Sequence, residues 1–243
     1  MRKEGESMKE IVREIQKVAY WLAIKGLSEA NAGNISVRLD ERPEGYEVKS
    51  VNEYGFDYDG PEMYLLITAT GSRMREIYED DSKICLLHVL PGKNYEILHG
   101  NGKPTSEFPT HLMIHAKFKE MNPEKKAIVH THPLNLLTLM NLKDFQELLP
   151  KMMKIHPEVL IFFPQGISVV EFEKPGSVEL GLKTVEKSEG KDAVLWDKHG
   201  VVAFGKDVAE AYDRVEILEK AAEILLRVLS LGRNPTGVPE GWL

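Results

Sequence analysis

Two histidines stand one residue apart in the run Ile128-Val129-His130-Thr131-His132. On a strand, side chains two apart share a face, so both imidazoles project side by side. Two convergent neutral imidazoles are half of a tetrahedral zinc site, whose nitrogen donors sit about 2.0–2.1 Å from the metal. The competing reading is a pair of histidines that hydrogen-bond a loop at a strand end, and the spacing alone does not choose between them. A third ligand must come from elsewhere, and the remaining histidines are His88, His99, His111, His115, His156 and His199. His199 is the best candidate. It lies in the tight turn Trp196-Asp197-Lys198-His199-Gly200-Val201, where Gly200 permits close backbone approach. His111 and His115 are four apart on an expected helix and read first as packing, or as support behind a site. His156 precedes a proline in a charged loop and reads as a surface residue.

Glu107 is the acid that stands out, between the hydroxyl-rich turn Pro104-Thr105-Ser106 and the start of a helix. One reading is plain helix stabilisation, in which a carboxylate at the N-terminus offsets the macrodipole for about 0.3–1 kcal/mol. The other is functional. The hydroxyls of Thr105 and Ser106, with backbone N–H groups at a helix start, make a phosphate cradle. A carboxylate immediately after it is held close to whatever the phosphate anchors. Gly33-Asn34 and Thr70-Gly71-Ser72 are two further turns of small polar residues at element junctions. Each alone is weak, because turns are routinely built from these residues. Three such turns with histidines and an acid form a more specific set.

The elements that must position these groups can be read from periodicity. Ile11, Ile15, Val18 and Leu22 predict a helix from Met8 to Gly26, and Ile35–Leu39 alternates as a strand. The segment from Asp40 to Glu62 is rich in Pro, Gly, Asp and Tyr and reads as an exposed excursion. Tyr64–Ala69 reads as a strand, and Ile84–Leu90 with Asn94–Leu98 as a hairpin around Pro91-Gly92. A helix is expected at Pro109–Met121, a strand at Ala127–His132, and a further helix with Pro133 in its first turn. Val159–Phe163 and Ile167–Phe172 read as strands flanking Pro164-Gln165-Gly166. A helix at Ser177–Ser188 follows, then strands at Ala193–Asp197 and Val201–Phe204. The last long helix begins at Asp207, with Glu210 as its capping-box partner, and the tail after Gly232 reads as irregular.

The 243 residues carry 31 Lys+Arg against 38 Asp+Glu, a formal charge of −7, with 42% hydrophobic and 28% charged residues. That composition is globular and excludes disorder as the main state. The acidic balance argues against nucleic acid or an anionic membrane as partner. Cys85 is the one cysteine, which rules out an intrachain disulfide or a cysteine-based zinc cluster and fits a reducing compartment. The charged start MRKEGESMKE lacks the apolar stretch of a signal peptide, and no window approaches the roughly 18 apolar residues of a membrane span. The expectation is a soluble, cytoplasmic protein. Strands and helices interleave without repeat or linker, so residues 1–243 are expected to form a single α/β domain.

Several motifs, in order, resemble the class II (zinc-dependent) sugar-phosphate aldolase/adducin family. They are Asn31-Ala32-Gly33-Asn34-Ile35-Ser36-Val37-Arg38-Leu39, Ile67-Thr68-Ala69-Thr70-Gly71-Ser72, Pro104-Thr105-Ser106-Glu107, His130-Thr131-His132, Glu158–Pro164 and Leu195–Gly200. The resemblance runs from Gly26 to about Gly232. It implies a three-layer α/β/α fold around a mixed, mostly antiparallel sheet. It implies one zinc ion per subunit (another divalent ion such as cobalt being the alternative) on His130, His132 and His199, with Glu107 near or on the metal. Phosphate would be held by Gly33, Asn34, Ser72, Thr105 and Ser106, with Thr70 and Gly71 shaping the second turn. A cyclic homotetramer with active sites between subunits is implied too, as is a catalytic carboxylate from a neighbouring subunit, which falls on Glu158. The short N-terminal region and the loop Lys143–Pro157 depart from the family pattern, on the aldehyde side of the site.

The activity implied is zinc-dependent retro-aldol cleavage of a phosphorylated ketose. The pattern is most similar to members that split L-rhamnulose 1-phosphate into dihydroxyacetone phosphate and L-lactaldehyde. L-fuculose-1-phosphate aldolases, ribulose-5-phosphate 4-epimerases and methylthioribulose-1-phosphate dehydratases share the same metal and phosphate turns. A non-catalytic, adducin-like interaction module has no need to keep three metal ligands and an acid. A barrel-type zinc hydrolase also uses HxH on a strand, but the 113 residues after His130 are too few for the rest of a barrel of about 250.

Overall fold

The computed structural model describes residues 7–239 and 241. The strands are β1 (Asn34–Leu39), β2 (Ser50–Tyr58), β3 (Met63–Thr68), β4 (Ile84–Val89), β5 (Gly92–His99), β6 (Ala127–Thr131), β7 (Ser168–Val170), β8 (Ala193–Trp196) and β9 (Gly200–Gly205). The α-helices are α1 (Met8–Ile24), α2 (Met74–Ile77), α3 (Phe108–Met121), α4 (Leu134–Met140), α5 (Phe145–Met152), α6 (Pro157–Phe162), α7 (Val178–Lys187) and α8 (Val208–Ser230). All nine strands form one sheet in the order β2-β5-β4-β3-β1-β6-β9-β8-β7. Every pairing is antiparallel except β7 with β8.

Alternate residues of the central strands feed opposite faces, and both faces are covered. On one side Ile35, Val37, Val129, Leu195 and Ala203 pack against α1 and α8. On the other, Ile128, Val194, Val202 and Phe204 meet Ile114 and Phe118 of α3 and Leu180 of α7. The expected three layers around a mixed, mostly antiparallel sheet are therefore present. Because both faces are buried, β6, β8 and β9 read as near-continuous apolar runs, in which His130 stands out. β1 instead alternates, and its polar residues Asn34, Ser36 and Arg38 are buried as well.

Four expectations need correction. The segment 40–62 is not simply an excursion, since residues 50–58 form the edge strand β2, paired with β5. Its inward residues Tyr54, Phe56 and Tyr58 alternate with Gly55 and Asp57 and join the cluster of Tyr95 and Phe108, a period-two signal that the Pro-, Gly- and Asp-rich composition of the segment concealed. Val159–Phe163 is helix α6 rather than a strand. Pro157 at its start and Glu158 in its first turn are helix-opening signals, and a five-residue apolar run cannot tell strand from helix by period. The stretch Lys143–Pro157 contains helix α5. Pro133 stands at the N-cap of α4, just outside its first turn. Residues 233–239 are irregular as expected, whereas the charged residues 1–6 lie outside the described residues. No helix among the described residues is long and apolar enough to cross a membrane.

Candidate metal and anion site

The site forms where strand ends and three turns meet above the centre of the sheet. Asn34 of β1 is the register partner of His130 on β6, so the first polar turn is delivered beside the first histidine. The loop before β1 is tied down by its neighbour. His132 donates its backbone N–H to Leu27 O at 2.9 Å, the Thr131 hydroxyl bonds the same carbonyl, and Ser28 Oγ lies 2.8 Å from Thr131 Oγ1. The second and third turns are bound together: Thr70 N–H donates to Lys103 O at 2.9 Å and Thr105 N–H to Thr68 O at 2.9 Å.

His199 arrives from the β8–β9 turn, closed by its N–H on Trp196 O at 2.9 Å, with Lys198 at φ 58°. Gly200 follows at φ 153°, and a Cβ there would stand 2.3 Å from Thr131 O and 3.1 Å from the His132 ring. Gly33 is similarly constrained, with φ 78° and a Cβ position 2.6 Å from Ser28 Oγ. These two glycines let the three segments approach closely enough to share a centre.

Ligand nitrogens of His130, His132 and His199 lie within 4.8 Å of one another, and Trp196 backs two of the rings at centroid distances of 4.4 and 4.9 Å. The tautomers follow from the partners. His130 Nδ1 donates to Val201 O at 3.0 Å, because a carbonyl only accepts, which leaves Nε2 as a free lone pair. His132 Nδ1 donates to Glu29 Oε1 at 2.9 Å. Its Nε2 is buried without a partner, as is His199 Nδ1. Burial pushes the His130 imidazole well below its ordinary value and His199 down to about 4, so these two rings are neutral, as metal ligation requires. A buried, unpaired nitrogen such as His132 Nε2 is costly unless something binds it. The donor set fits a divalent cation of zinc type.

Glu107 decides between its two readings. It stands at the N-cap of α3, but its side chain makes no capping bond. Instead the carboxylate turns inward. Oε2 accepts Gly176 N–H at 3.0 Å and Oε1 lies 4.0 Å from His199 Nε2. Burial raises its pKa to about 7, against the lowering effect of the Gly176 bond, so it can hold or release a proton near neutrality.

One cavity of about 170 Å³ is lined by Gly33, Asn34, Thr70, Gly71, Thr105, Ser106, Glu107 and the three histidines, together with Asn31, Ala32 and Ala69. Ser72 is buried at its edge, its N–H on Ala69 O at 3.2 Å. No lysine or arginine is among these lining residues, so an anion there is met by neutral donors. Glu158 is not brought to this cavity. It sits in the first turn of α6 and accepts from His156 Nδ1 at 2.7 Å; that bond leaves His156 half-buried rather than fully exposed. Sequence reading passed over Glu29 and Gly176. Glu29 is a carboxylate in the turn that ends at Asn34, a signal available from its position. Gly176 lies 69 residues from Glu107 and carries no local signal.

A family model described as "Class II Aldolase and Adducin N-terminal domain" matches residues 13–226. A rhamnulose-1-phosphate aldolase from Bacteroides thetaiotaomicron is 33% identical over 248 aligned positions, covering 94% of this chain and 90% of that protein. The crystal structure of a sugar-phosphate aldolase from Thermotoga maritima superposes with a TM-score of 0.92 at 97% identity, covering 95% of this chain and 99% of that one. The L-fuculose-1-phosphate aldolase from Thermus thermophilus shares the fold alone, with a TM-score of 0.63 at 21% identity over 93% of this chain and 98% of that one.

Proposed function

The chain belongs to the class II aldolase and adducin family and is an aldolase-type lyase, and from that premise we propose that it cleaves L-rhamnulose 1-phosphate to dihydroxyacetone phosphate and L-lactaldehyde. The observation that carries this reading is the convergence of three imidazoles beside a buried, protonatable carboxylate, in a cavity whose other walls are small hydrogen-bonding turns. The choice of sugar is supported by the curated relatives that align over most of the chain at about 30% identity. One sheet holding all nine strands supports reading residues 1–243 as a single domain.

His130, His132 and His199 would hold one zinc ion, which when bound supplies Lewis acidity to the charge that develops on the ketose oxygens. The protein's own groups do the rest. Asn34, Thr105 and Ser106, with the turns at Gly33 and Thr70–Ser72, receive the phosphate and fix the substrate's orientation. That remote binding energy is used at the reacting centre. As the C3–C4 bond breaks, the C4 hydroxyl gives up its proton and its oxygen becomes the aldehyde, while the bond's electron pair stays on C3. Glu107 supplies the proton that C3 then takes, a role for which burial keeps it protonated up to about pH 7. Glu158, which does not reach its own chain's cavity, would take the C4 hydroxyl proton in a neighbouring subunit's site, within a cyclic homotetramer. The buried Cys85 thiol, pushed up to about 11, is chemically quiet and fits a cytoplasmic setting.

The test is a panel of ketose 1-phosphates assayed for dihydroxyacetone phosphate release, with metal content measured on the same samples. Cleavage of L-rhamnulose 1-phosphate well above the fuculose and ribulose analogues supports the assignment. A preference for either analogue overturns the substrate, and release of no triose phosphate from any of them overturns the reaction.

A further inference from the structure

Behind the cavity, on the sheet face that α3 covers, lies a second pair of histidines. Ser36 Oγ on β1 is 2.6 Å from His111 Nδ1 and 2.7 Å from His115 Nε2. His111 Nε2 bonds Asn34 Oδ1. Asn34 Nδ2 reaches Thr105 Oγ1 at 3.2 Å, and the Glu107 backbone N–H reaches the same oxygen at 3.3 Å. A continuous chain of hydrogen bonds thus runs from the middle of α3 to two residues that line the cavity. All five side chains are buried.

Only two arrangements of protons make every bond of this chain without leaving the buried Ser36 proton unused. Burial keeps both imidazoles neutral, with His111 pushed down to about 3 and His115 well below its ordinary value; the neighbouring imidazole and the Arg38 cation also act against a charge on His115. Each neutral ring donates at one nitrogen and accepts at the other, and the serine has one proton to give. The polarity therefore runs in a single direction from end to end. In the first arrangement His115 Nε2–H donates to Ser36, Ser36 to His111 Nδ1, His111 Nε2–H to Asn34 Oδ1, and Asn34 Nδ2–H to Thr105. In the second every donor and acceptor exchanges, and His115 carries its proton on Nδ1.

His115 Nδ1 is buried and has no partner. The second arrangement strands an N–H there, whereas the first leaves only an unshared lone pair, and orphaned buried N–H groups are the rarer of the two. The first arrangement also decides what the cavity sees. Thr105 Oγ1 accepts from both Asn34 and the Glu107 N–H, so its own proton remains to be given to a ligand. In the reverse arrangement that proton is used on Asn34 Oδ1.

We propose that Ser36, His111 and His115 are positioning residues that set this polarity, so that the Asn34 amide and the Thr105 hydroxyl meet an anion in the cavity as donors. The inference rests on reading the cavity as the phosphate site. No lysine or arginine is among the lining residues, so beside any bound metal the anion meets neutral groups whose sign toward it is set by their orientation. A reversed amide turns the same wall toward repulsion.

The test uses the metal-loaded full chain in two measurements. In ¹⁵N-histidine-labelled protein, long-range ¹H–¹⁵N correlation is expected to show His111 and His115 as neutral Nε2–H tautomers. A proton on Nδ1 of either ring overturns the polarity. Calorimetric titration with inorganic phosphate is expected to show about tenfold weaker binding for Ser36→Ala than for the unaltered chain, with metal content unchanged, and recovery in Ser36→Thr, which keeps the hydroxyl. Equal phosphate binding by Ser36→Ala overturns the proposal while leaving the phosphate site standing. Joint loss of metal and phosphate would show a structural role and overturns it too. An unaltered chain that binds no phosphate removes the phosphate site itself, and this proposal with it.

Discussion

The protein holds two clusters of histidines on neighbouring elements, and they differ both in burial and in how their nitrogens are used. His130, His132 and His199 sit at strand ends and in a turn; His130 is buried, the other two are partly exposed, and their ligand nitrogens lie within 4.8 Å of one another. His111 and His115 are fully buried mid-helix, and three of their four nitrogens are paired to Ser36 and Asn34. The single exception, His115 Nδ1, belongs to a residue that does not line the cavity. What separates a ligand set from a supporting network is whether the unpaired nitrogens converge, and that depends on the element that carries each ring.

The two clusters part most sharply at His199. His199→Ala is expected to lose bound metal and at least about 10³-fold in kcat/KM, since metal Lewis acidity contributes several kcal/mol; metal analysis and a coupled assay on one sample read both. Retained metal with retained turnover would move the ligand set elsewhere. Glu107→Gln separates chemistry from ligation. Metal should stay while kcat falls by about 10²–10⁴, the usual contribution of a positioned acid or base. The Glu29 carboxylate orients His132 from outside, and Glu29→Ala is expected to weaken metal binding about 10- to 100-fold, as removal of such a partner does elsewhere. Competition against a chelator measures it.

The second cluster yields a pH signature. His111 titrates at about 3 in the folded chain against 6.5 when free, so between those values the unfolded state binds more protons. Its contribution to stability is complete above 6.5 and is lost as pH falls toward 3, with a limiting slope of about 1.4 kcal/mol per pH unit, and His115 adds in the same sense. Glu107, raised from 4.5 to about 7, works in the opposite direction between those values and offsets part of the loss. Urea midpoints in chelator, compared between about pH 7.5 and about pH 5, should therefore drop with acid, and drop less in His111→Phe. His130 and His199, also depressed by burial, add in the same sense in metal-free protein, so the difference between the two chains isolates His111, and an equal drop in His111→Phe would mean that His111 is not buried neutral.

Most of the scaffold was legible in the sequence. The buried strands β6, β8 and β9 announce themselves as apolar runs, and α1 and α8 keep a three-four rhythm along their buried faces. The failures have two causes. At Val159–Phe163 the apolar run is too short for its period to separate helix from strand, and Tyr54-Gly55-Phe56-Asp57-Tyr58 carries a strand alternation that the turn-rich composition around it outweighed. In the proposed site, type and spacing singled out His130, His132, His199, Glu107 and the three small polar turns as candidates, and the family resemblance joined them into one metal and phosphate set. The orienting groups were not among them. Gly176 acts through a backbone N–H, which any residue but proline has, and Ser36 reads as one of the polar positions of an alternating strand, Asn34-Ile35-Ser36-Val37-Arg38-Leu39, with nothing local to mark it as buried. Glu158 keeps its proposed role only in an assembly of several chains.

Cleavage is held to depend on one cation shared by three imidazoles. Metal-free protein titrated with zinc, with dihydroxyacetone phosphate release from L-rhamnulose 1-phosphate followed at each addition, should gain activity linearly and saturate at one equivalent per chain. Full activity before any metal is added, with bound metal far below one per chain, would contradict that dependence.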